Sequence, residues 1–387
     1  MTIQFDFLTA NRILFRQKAF AELGKITSEF GTRALVVLGR SHRFGEEARQ
    51  LLHSNGVEAS IFTARDEPTV DEVSAGIQQA REFDANVVLA IGGGCAIDLG
   101  KAIAGLLTND GSIYEYMEGA GPVKKFTQPS MPFVVVPTTS GTGSEVTRNA
   151  VITNEKRRVK VSLRSAYLLP RVAVVDPELM VSLPKTVTAF SGMDALTQLV
   201  EPFLSRFANP MTDMVSREGI RCVAKSLRKA FMIPDDLEAR EQMAFASLLS
   251  GIALTNAGLG VVHGFSGVLG GMSGAHHGAL CASMLAAGLE VNYRALLARD
   301  LSNPVIQRFK ELASLLTQND RTDAESAFQW VRETQALLNI PNLRELGVRE
   351  ADHGRAMEIA KNASSMKGNP IALTDEELLE ILEKASR

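Results

Sequence analysis

Val87-Val88-Leu89-Ala90-Ile91 runs without interruption into Gly92-Gly93-Gly94-Cys95-Ala96-Ile97-Asp98-Leu99-Gly100-Lys101. The first five residues are apolar and rich in β-branched side chains, the pattern of a strand buried on both faces. The three glycines then make a turn that opens a helix. Residues without side chains let backbone amides approach a pyrophosphate, and the helix N-terminus adds its positive end. The bland reading of the same residues is a tight strand-to-helix turn that binds nothing.

Outward from this stretch, the first 180 or so residues alternate short β-branched runs with charged amphipathic stretches, the mark of βαβ units. Strands are expected at Ala34–Leu38, Ala59–Phe62, Val87–Ile91, Phe133–Val136 and Val172–Val175, with helices at Gly45–Ser54, Thr69–Phe83 and Ala96–Thr108. Such alternation implies a mostly parallel sheet with helices on both faces, a Rossmann-like α/β domain. After Pro184 long apolar periodicities replace the short strands, so an all-α C-terminal domain follows. The domains are drawn as 1–183 and 184–387, and 387 residues suit two domains. Thr374-Asp375-Glu376-Glu377 announces the last helix with a capping box, and Asn369-Pro370 breaks the helix before it.

Composition narrows the function. Hydrophobic residues are 45% and charged residues 22%, which supports a large core and not disorder. With 41 basic against 44 acidic residues, net −3, no positive excess is available for a phosphate backbone, so no nucleic-acid partner is expected. Cys95, Cys222 and Cys281 lie far apart, matching neither a disulfide framework nor a CxxC knuckle, and a reducing cytoplasm fits. The N-terminal stretch MTIQFDFLTANRILF lacks the order of a signal peptide. Gln242 to Leu289 carries no Asp, Glu, Lys or Arg, yet its ten glycines and three histidines make poor lipid-facing material. It reads as buried helices around a polar site, with no membrane partner.

A second loop, Pro137-Thr138-Thr139-Ser140-Gly141-Thr142-Gly143-Ser144-Glu145-Val146-Thr147, also leaves the end of a strand. Two hydroxyl- and glycine-rich loops at the carboxyl edge of one sheet suggest a dinucleotide crevice. In the helical half, Asp194 and Gln198 stand four apart on one helix face, and His263 and His277 sit in the uncharged segment. An Asp and two His converging on one point would bind Zn²⁺ or Fe²⁺ and leave positions open for a substrate oxygen. Each residue alone also fits a satisfied core position, and spacing does not establish convergence.

In chain order GGGCAIDLGK, PTTSGTGSEVT, VDPEL, GMDALTQLVE, and His263 followed by His276-His277-Gly278 resemble the iron-containing (group III) alcohol dehydrogenase family, across nearly the whole chain. The resemblance implies a dehydroquinate synthase-like architecture in which hydride passes, in an interdomain cleft, between NAD(P) and an alcohol, aldehyde or keto acid carbon. A divalent metal would polarise the substrate oxygen. It further implies that Gly92, Gly93, Gly94, Cys95, Asp98 and Lys101 hold the pyrophosphate region, that Thr138, Thr139 and Ser144 line the cofactor, and that Lys160 lies near its ribose. Metal positions would be Asp194, His263, His277 and, at the fourth, Gln198. A cytoplasmic homodimer is the expected assembly.

Three departures from the family pattern change this reading. Gln198 stands where the family usually has His, so the fourth ligand is lost or becomes a neutral amide oxygen. Three alternatives follow: a weakened four-ligand site, a three-ligand acid-plus-two-His site, or metal-free reduction of the maleylacetate reductase type with His263 or His277 donating the proton. Gly267 stands where a further His is common, and His276 replaces a Pro, which makes it a candidate proton donor or a merely exposed residue. Finally, Gly39-Arg40-Ser41-His42-Arg43 follows the strand Ala34–Leu38 where many NAD-using members carry an acid. A hydroxyl and two arginines without a carboxylate suit a 2′-phosphate, so NADP is expected in preference to NAD.

Two rivals stay in view. A lyase of the dehydroquinate synthase type would need cationic partners for its anionic substrate, and Gln242–Leu289 offers none. A cofactor-binding protein that has lost catalysis would be consistent with Gln198 and Gly267.

Overall fold

The computed structural model describes residues 3–65, 67–118, 122–155 and 159–387. Strands β1 (Arg12–Phe15), β2 (Arg33–Leu38), β3 (Glu58–Thr63), β4 (Val87–Gly92), β5 (Phe133–Pro137), β6 (Asn149–Asn154), β7 (Val159–Arg164) and β8 (Val172–Val175) form two sheets. The larger is wholly parallel, in the order β1-β8-β5-β4-β2-β3, and β6 and β7 pair as an antiparallel ribbon. The five expected strands and three expected helices are all present, the helices as Gly45–His53, Val70–Glu82 and Gly94–Leu107. Thr69 caps the second of these in a reciprocal box with Glu72.

Burial explains why these runs become strands. Ala34, Val36, Leu38, Val87, Leu89, Ile91, Val134, Val136, Val172 and Val174 lie in one cluster, none more than 1% exposed. Each larger side chain contributes about 1.5–3 kcal/mol by leaving water, so this face fixes the register. Three strands were not anticipated. Arg-Ile-Leu-Phe is only four residues long, begins with an exposed arginine and pairs along one edge with β8. In β6 the buried residues alternate, Ala150, Ile152 and Asn154 inward, a period-two signal inside a polar sequence.

The chain divides into two compact units. One comprises Leu8–Thr139 and Gly143–Met180; the other comprises Val181–Arg387 with Met1–Phe7 and Ser140–Thr142. The second unit is helical, and the uncharged segment supplies most of Leu237–Ala257, all of Val261–Ser273 and the first half of His277–Arg299. Apolar on nearly every side, these helices are interior ones. Among the described residues no single helix is long and apolar enough to cross a membrane; Leu237–Ala257 with Val261–Ser273 passes on composition only, as a pair bent by 101°. The last helix, Asp375–Ala385, begins at Thr374 with the expected box to Glu377. Asn369 does more than break a helix. It is buried, donates from Nδ2 to Asn292 Oδ1 at 2.7 Å and accepts the Val261 amide at 3.1 Å, so it pins the start of the His263 helix.

Candidate active site

The α/β unit has its topological switch between β2 and β4, because β2 is followed outward by β3 while β4 is followed in the other direction by β5. Ligands bind at the carboxyl ends of strands at such a point. Gly39 leaves β2 there, donating its amide to Ile91 O at 3.1 Å, and Gly92 ends β4 beside it. A Cβ on Gly92 would stand 2.7 Å from Ala96 Cβ and 3.3 Å from the Gly39 amide, so this close approach requires glycine. Gly93 caps the helix Gly94–Leu107 with no side chain on its first-turn amides, which leaves donors for an anion. The second loop joins this edge through the Thr138 amide, which donates to Gly92 O at 2.9 Å, and Thr139 lies 3.3 Å from where a Gly93 Cβ would be. Gly39, Gly92, Gly93, Thr138 and Thr139 therefore share one edge, where Gly94 and half-buried Cys95 open the helix. Arg40 and Ser41 are exposed just beyond Gly39. His42 faces Thr63 Oγ1 at 3.1 Å, and Arg43 donates to Leu179 O at 3.0 Å.

Beneath these loops lies a buried brace. Lys101 has no exposed surface, and its ammonium donates to Ser144 Oγ at 2.8 Å, Thr147 Oγ1 at 2.7 Å and Asn149 O at 2.9 Å. Asp98 accepts from Ser144 Oγ at 2.5 Å and from the Val151 amide at 2.9 Å. Lys101, Asp98 and Ser144 thus tie the helix that follows the glycine turn to the second loop and to β6. Burial lowers Lys101 to about 8, opposed by Asp98 and Glu145, and burial raises Glu145 to about 7 and Asp98 as well. Lys160 pairs with Glu67 at 2.9 Å.

In the helical unit Asp194, on Lys185–Leu204, meets His263 and His277. Asp194 Oδ1 stands 3.5 Å from His263 Nε2 and 3.8 Å from His277 Nε2. Cys281, one turn after His277, joins them with Sγ 3.6 Å from His277 Nε2, and the four ligand atoms lie within 4.8 Å of one another. Asp194 Oδ1 and His263 Nε2 are buried without a hydrogen-bond partner among the described residues. Buried polar atoms are costly unless matched, and a cation at their common centre would match both, so the donor set fits a divalent metal. A Cβ on Gly278 would reach 2.6 Å from Phe190 O; this glycine lets the His277 helix close on the Asp194 helix.

Charge in the cluster is coupled. Burial pushes Asp194 upward, but the facing His263 and His277 rings prevail and hold it at about 2. Burial opposes protonation of His263, yet Cys281, Asp194 and Glu201 raise it well above the usual imidazole range, and His277 is raised for similar reasons. Burial likewise raises the Cys281 thiol, and the two histidines more than offset it.

Two supporting residues had escaped notice in the sequence. Glu201, seven residues after Asp194 on the same helix face, places Oε2 2.7 Å from His263 Nδ1 and accepts the Val262 amide on Oε1 at 2.7 Å. Cys281 carried a signal in its i, i+4 spacing from His277. Gln198 donates from Nε2 to Asp194 Oδ2 at 3.1 Å, and its Oε1 lies 3.5 Å from Ser250 Oγ, which donates to Ser247 O at 2.8 Å. His276 is exposed, its ring 5.7 Å from that of Phe190. A Cβ on Gly267 meets no neighbour within 4 Å among the described residues.

Comparison with known proteins identifies the family. Residues 10–177 match the family described as iron-containing alcohol dehydrogenase, and residues 188–386 match the C-terminal domain of the same family. The 1,3-propanediol dehydrogenase of Citrobacter freundii is 35% identical, with 98% of each chain covered. The NAD-dependent methanol dehydrogenase of Bacillus methanolicus is 33% identical over 95% of this chain and 96% of its own. A crystal structure of 1,3-propanediol oxidoreductase superposes with TM-score 0.92 at 34% identity, covering 99% of this chain and all of that one. The chain belongs to the iron-containing alcohol dehydrogenase family. It is an oxidoreductase of alcohols, of a family that uses a nicotinamide dinucleotide and iron or another divalent metal.

Proposed function

We propose that this chain is a metal-dependent, NADP-preferring dehydrogenase that interconverts a small primary alcohol and its aldehyde. The convergence of Asp194 Oδ1, His263 Nε2 and His277 Nε2, two of them buried and unmatched, carries the metal part of the reading. The relatives' names support the substrate class, since 1,3-propanediol and methanol are both small primary alcohols. The absence of an acid after β2, with Arg40 and Ser41 exposed there, supports NADP. A homodimer in the cytoplasm belongs to the same reading.

Bound at these sites, the cation supplies Lewis acidity toward the substrate oxygen and the nicotinamide supplies or takes up the hydride. The chain's own residues prepare the site. Asp194 brings a fixed negative charge, and Gln198 holds its second oxygen so that Oδ1 stays aimed at the two rings. Glu201 fixes the His263 tautomer by accepting from Nδ1, which leaves the Nε2 lone pair for a ligand. The walls contributed by Gln242–Leu289 carry no charged side chain, so they do not compete for the site and they strengthen the electrostatics within it. His276, exposed at the start of its helix, can exchange a proton with solvent and relay it at its ring nitrogens.

Oxidation of NADPH by the purified chain on a panel of aldehydes and keto acids, before and after chelation and with Zn²⁺ or Fe²⁺ restored, tests this. Turnover lost on chelation and recovered with metal is expected. Turnover in protein shown to contain no metal would replace the reading with the metal-free reductase. No turnover on any substrate would leave a cofactor binder.

A further inference from the structure

The family site that the sequence resembles has four protein ligands, and the fourth position here is Gln198. Its amide nitrogen is committed to Asp194 Oδ2, and its oxygen, 3.5 Å from Ser250 Oγ, is a neutral donor weaker than an imidazole for the centre shared by the other ligands. Cys281 stands at that centre instead. It is fully buried, one helical turn beyond His277, and its Sγ is 3.6 Å from His277 Nε2.

We propose that Cys281 has taken over the fourth ligand position, giving an Asp194–His263–His277–Cys281 site for a borderline-soft divalent ion such as Zn²⁺. Zinc bond lengths supply a geometric check. At tetrahedral angles, Zn–S of about 2.3 Å and Zn–N of about 2.05 Å give an S···N edge of about 3.6 Å and an N···O edge of about 3.4 Å, and a substrate oxygen would join as a fifth ligand. Three of the six edges are 3.6 Å for Cys281–His277, 3.5 Å for His263–Asp194 and 3.8 Å for His277–Asp194, and the other three lie within 4.8 Å. The competing account is a packing thiol that hydrogen-bonds His277. Beside an ion held by the other three ligands such a thiol would leave Asp194 Oδ1 and His263 Nε2 equally satisfied, so the accounts are separated by the position of Sγ, within 4.8 Å of all three other ligand atoms and one coordination edge from His277 Nε2. A thiolate also favours zinc over the harder Fe²⁺, so losing an imidazole at 198 is offset by a softer donor at 281.

This inference rests on the metal reading above, and Co²⁺ separates the two. The full chain, stripped by chelation and titrated with Co²⁺, is expected to show visible ligand-field bands together with a near-ultraviolet thiolate-to-cobalt charge-transfer band. That band should persist in Cys95→Ser and Cys222→Ser. Cys281→Ser should abolish it and weaken Co²⁺ binding by roughly tenfold or more, since even outer residues of metal sites contribute that much. The double variant Gln198→His with Cys281→Ala should recover affinity without the band. Co²⁺ bound by the wild-type chain with ligand-field bands and no thiolate band overturns the role of Cys281 while the metal reading stands. No Co²⁺ binding at all overturns both. The wild-type spectrum decides even where a variant fails to fold.

Discussion

Glu201 grips His263 from behind: one carboxylate oxygen lies 2.7 Å from His263 Nδ1, and the other accepts the Val262 amide at 2.7 Å. The same carboxylate therefore sets the ring's tautomer and anchors the first turn of the helix that carries it. Replacing Glu201 by Leu removes both bonds and should weaken metal binding by about 10–100-fold, as loss of an outer partner does in other sites. Glu201→Gln, which retains an acceptor oxygen, should have the smaller effect. Zn²⁺ competition against a chromophoric chelator measures both; equal affinities for all three proteins would remove Glu201 from the metal site's support.

Removal of the metal should change how stability depends on pH. His263 is raised well above 6.5 in the metal-free fold, and His277 is raised too. A raised folded pKa contributes stability that is full below the unfolded value and is lost as pH climbs through the folded value. Cys281, whose burial is outweighed by the same two rings so that its thiol is lowered, acts in the opposite sense toward pH 9 and offsets one of them. Through the remaining raised ring the stripped protein should lose thermal stability as pH rises above about 6.5, while the zinc-loaded protein, whose rings are deprotonated by coordination, should not. Zn²⁺ affinity itself should rise with pH over the same range, because each bound ion displaces protons from the rings. Melting curves with and without Zn²⁺ between pH 6 and pH 9 show whether the two profiles diverge.

Much of this architecture was readable from residue order because it rests on local pattern. Val87–Ile91 and Val172–Val175 are continuous apolar runs that have no other way to be buried, and Thr69 and Thr374 mark their helices with capping boxes. Arg12–Phe15 was not legible, since a four-residue edge strand is made by its pairing with β8 and not by its own composition. The Asp–His–Cys cluster was half legible. Asp194, His263 and His277 are of ligand type and could be named, but their meeting depends on the packing of three helices. Glu201 and Cys281 looked like an ordinary helix acid and an isolated thiol until tertiary structure set the first against His263 and the second against His277. Lys101 shows the opposite case: its position beside the glycine turn suggests a phosphate contact, whereas its three donors are all engaged inside the domain.

The brace under the two glycine-containing loops should leave its own mark on stability. Burial raises Glu145 from 4.5 to about 7, so between those values the folded chain holds a proton that the unfolded chain has released. Stability then falls as pH rises through that window, by about 3 kcal/mol if the whole shift is expressed. Lys101 acts in the next window: lowered to about 8, its burial costs stability below that pH and the cost is relieved toward 10.5. Glu145→Gln removes the first titration and should flatten the acid-side slope, leaving the variant more stable than the wild-type chain above pH 7. Urea denaturation from pH 5 to pH 9 reads this directly; parallel profiles would show that Glu145 is solvated or matched in solution.

In the proposed reading cofactor choice turns on Gly39. A Cβ placed there meets only Gly92 Cα, at 3.8 Å, an ordinary contact, so a side chain can be introduced without disturbing the β2–β4 edge. Aspartate at this position would accept from an adenosine 2′-hydroxyl and repel a 2′-phosphate, while Arg40 and Ser41 remain exposed beside it. A hydrogen bond involving a charged group contributes about 1.5–3 kcal/mol, which corresponds to roughly 10- to 150-fold. Gly39→Asp should therefore reverse the preference from NADPH to NADH, chiefly by raising KM for NADPH, whereas Arg40→Ala should weaken NADPH without improving NADH. The ratio of kcat/KM for the two cofactors is the measurement. An unchanged ratio in Gly39→Asp would mean that the adenosine ribose is not held at the end of β2, and the NADP assignment would fall with it.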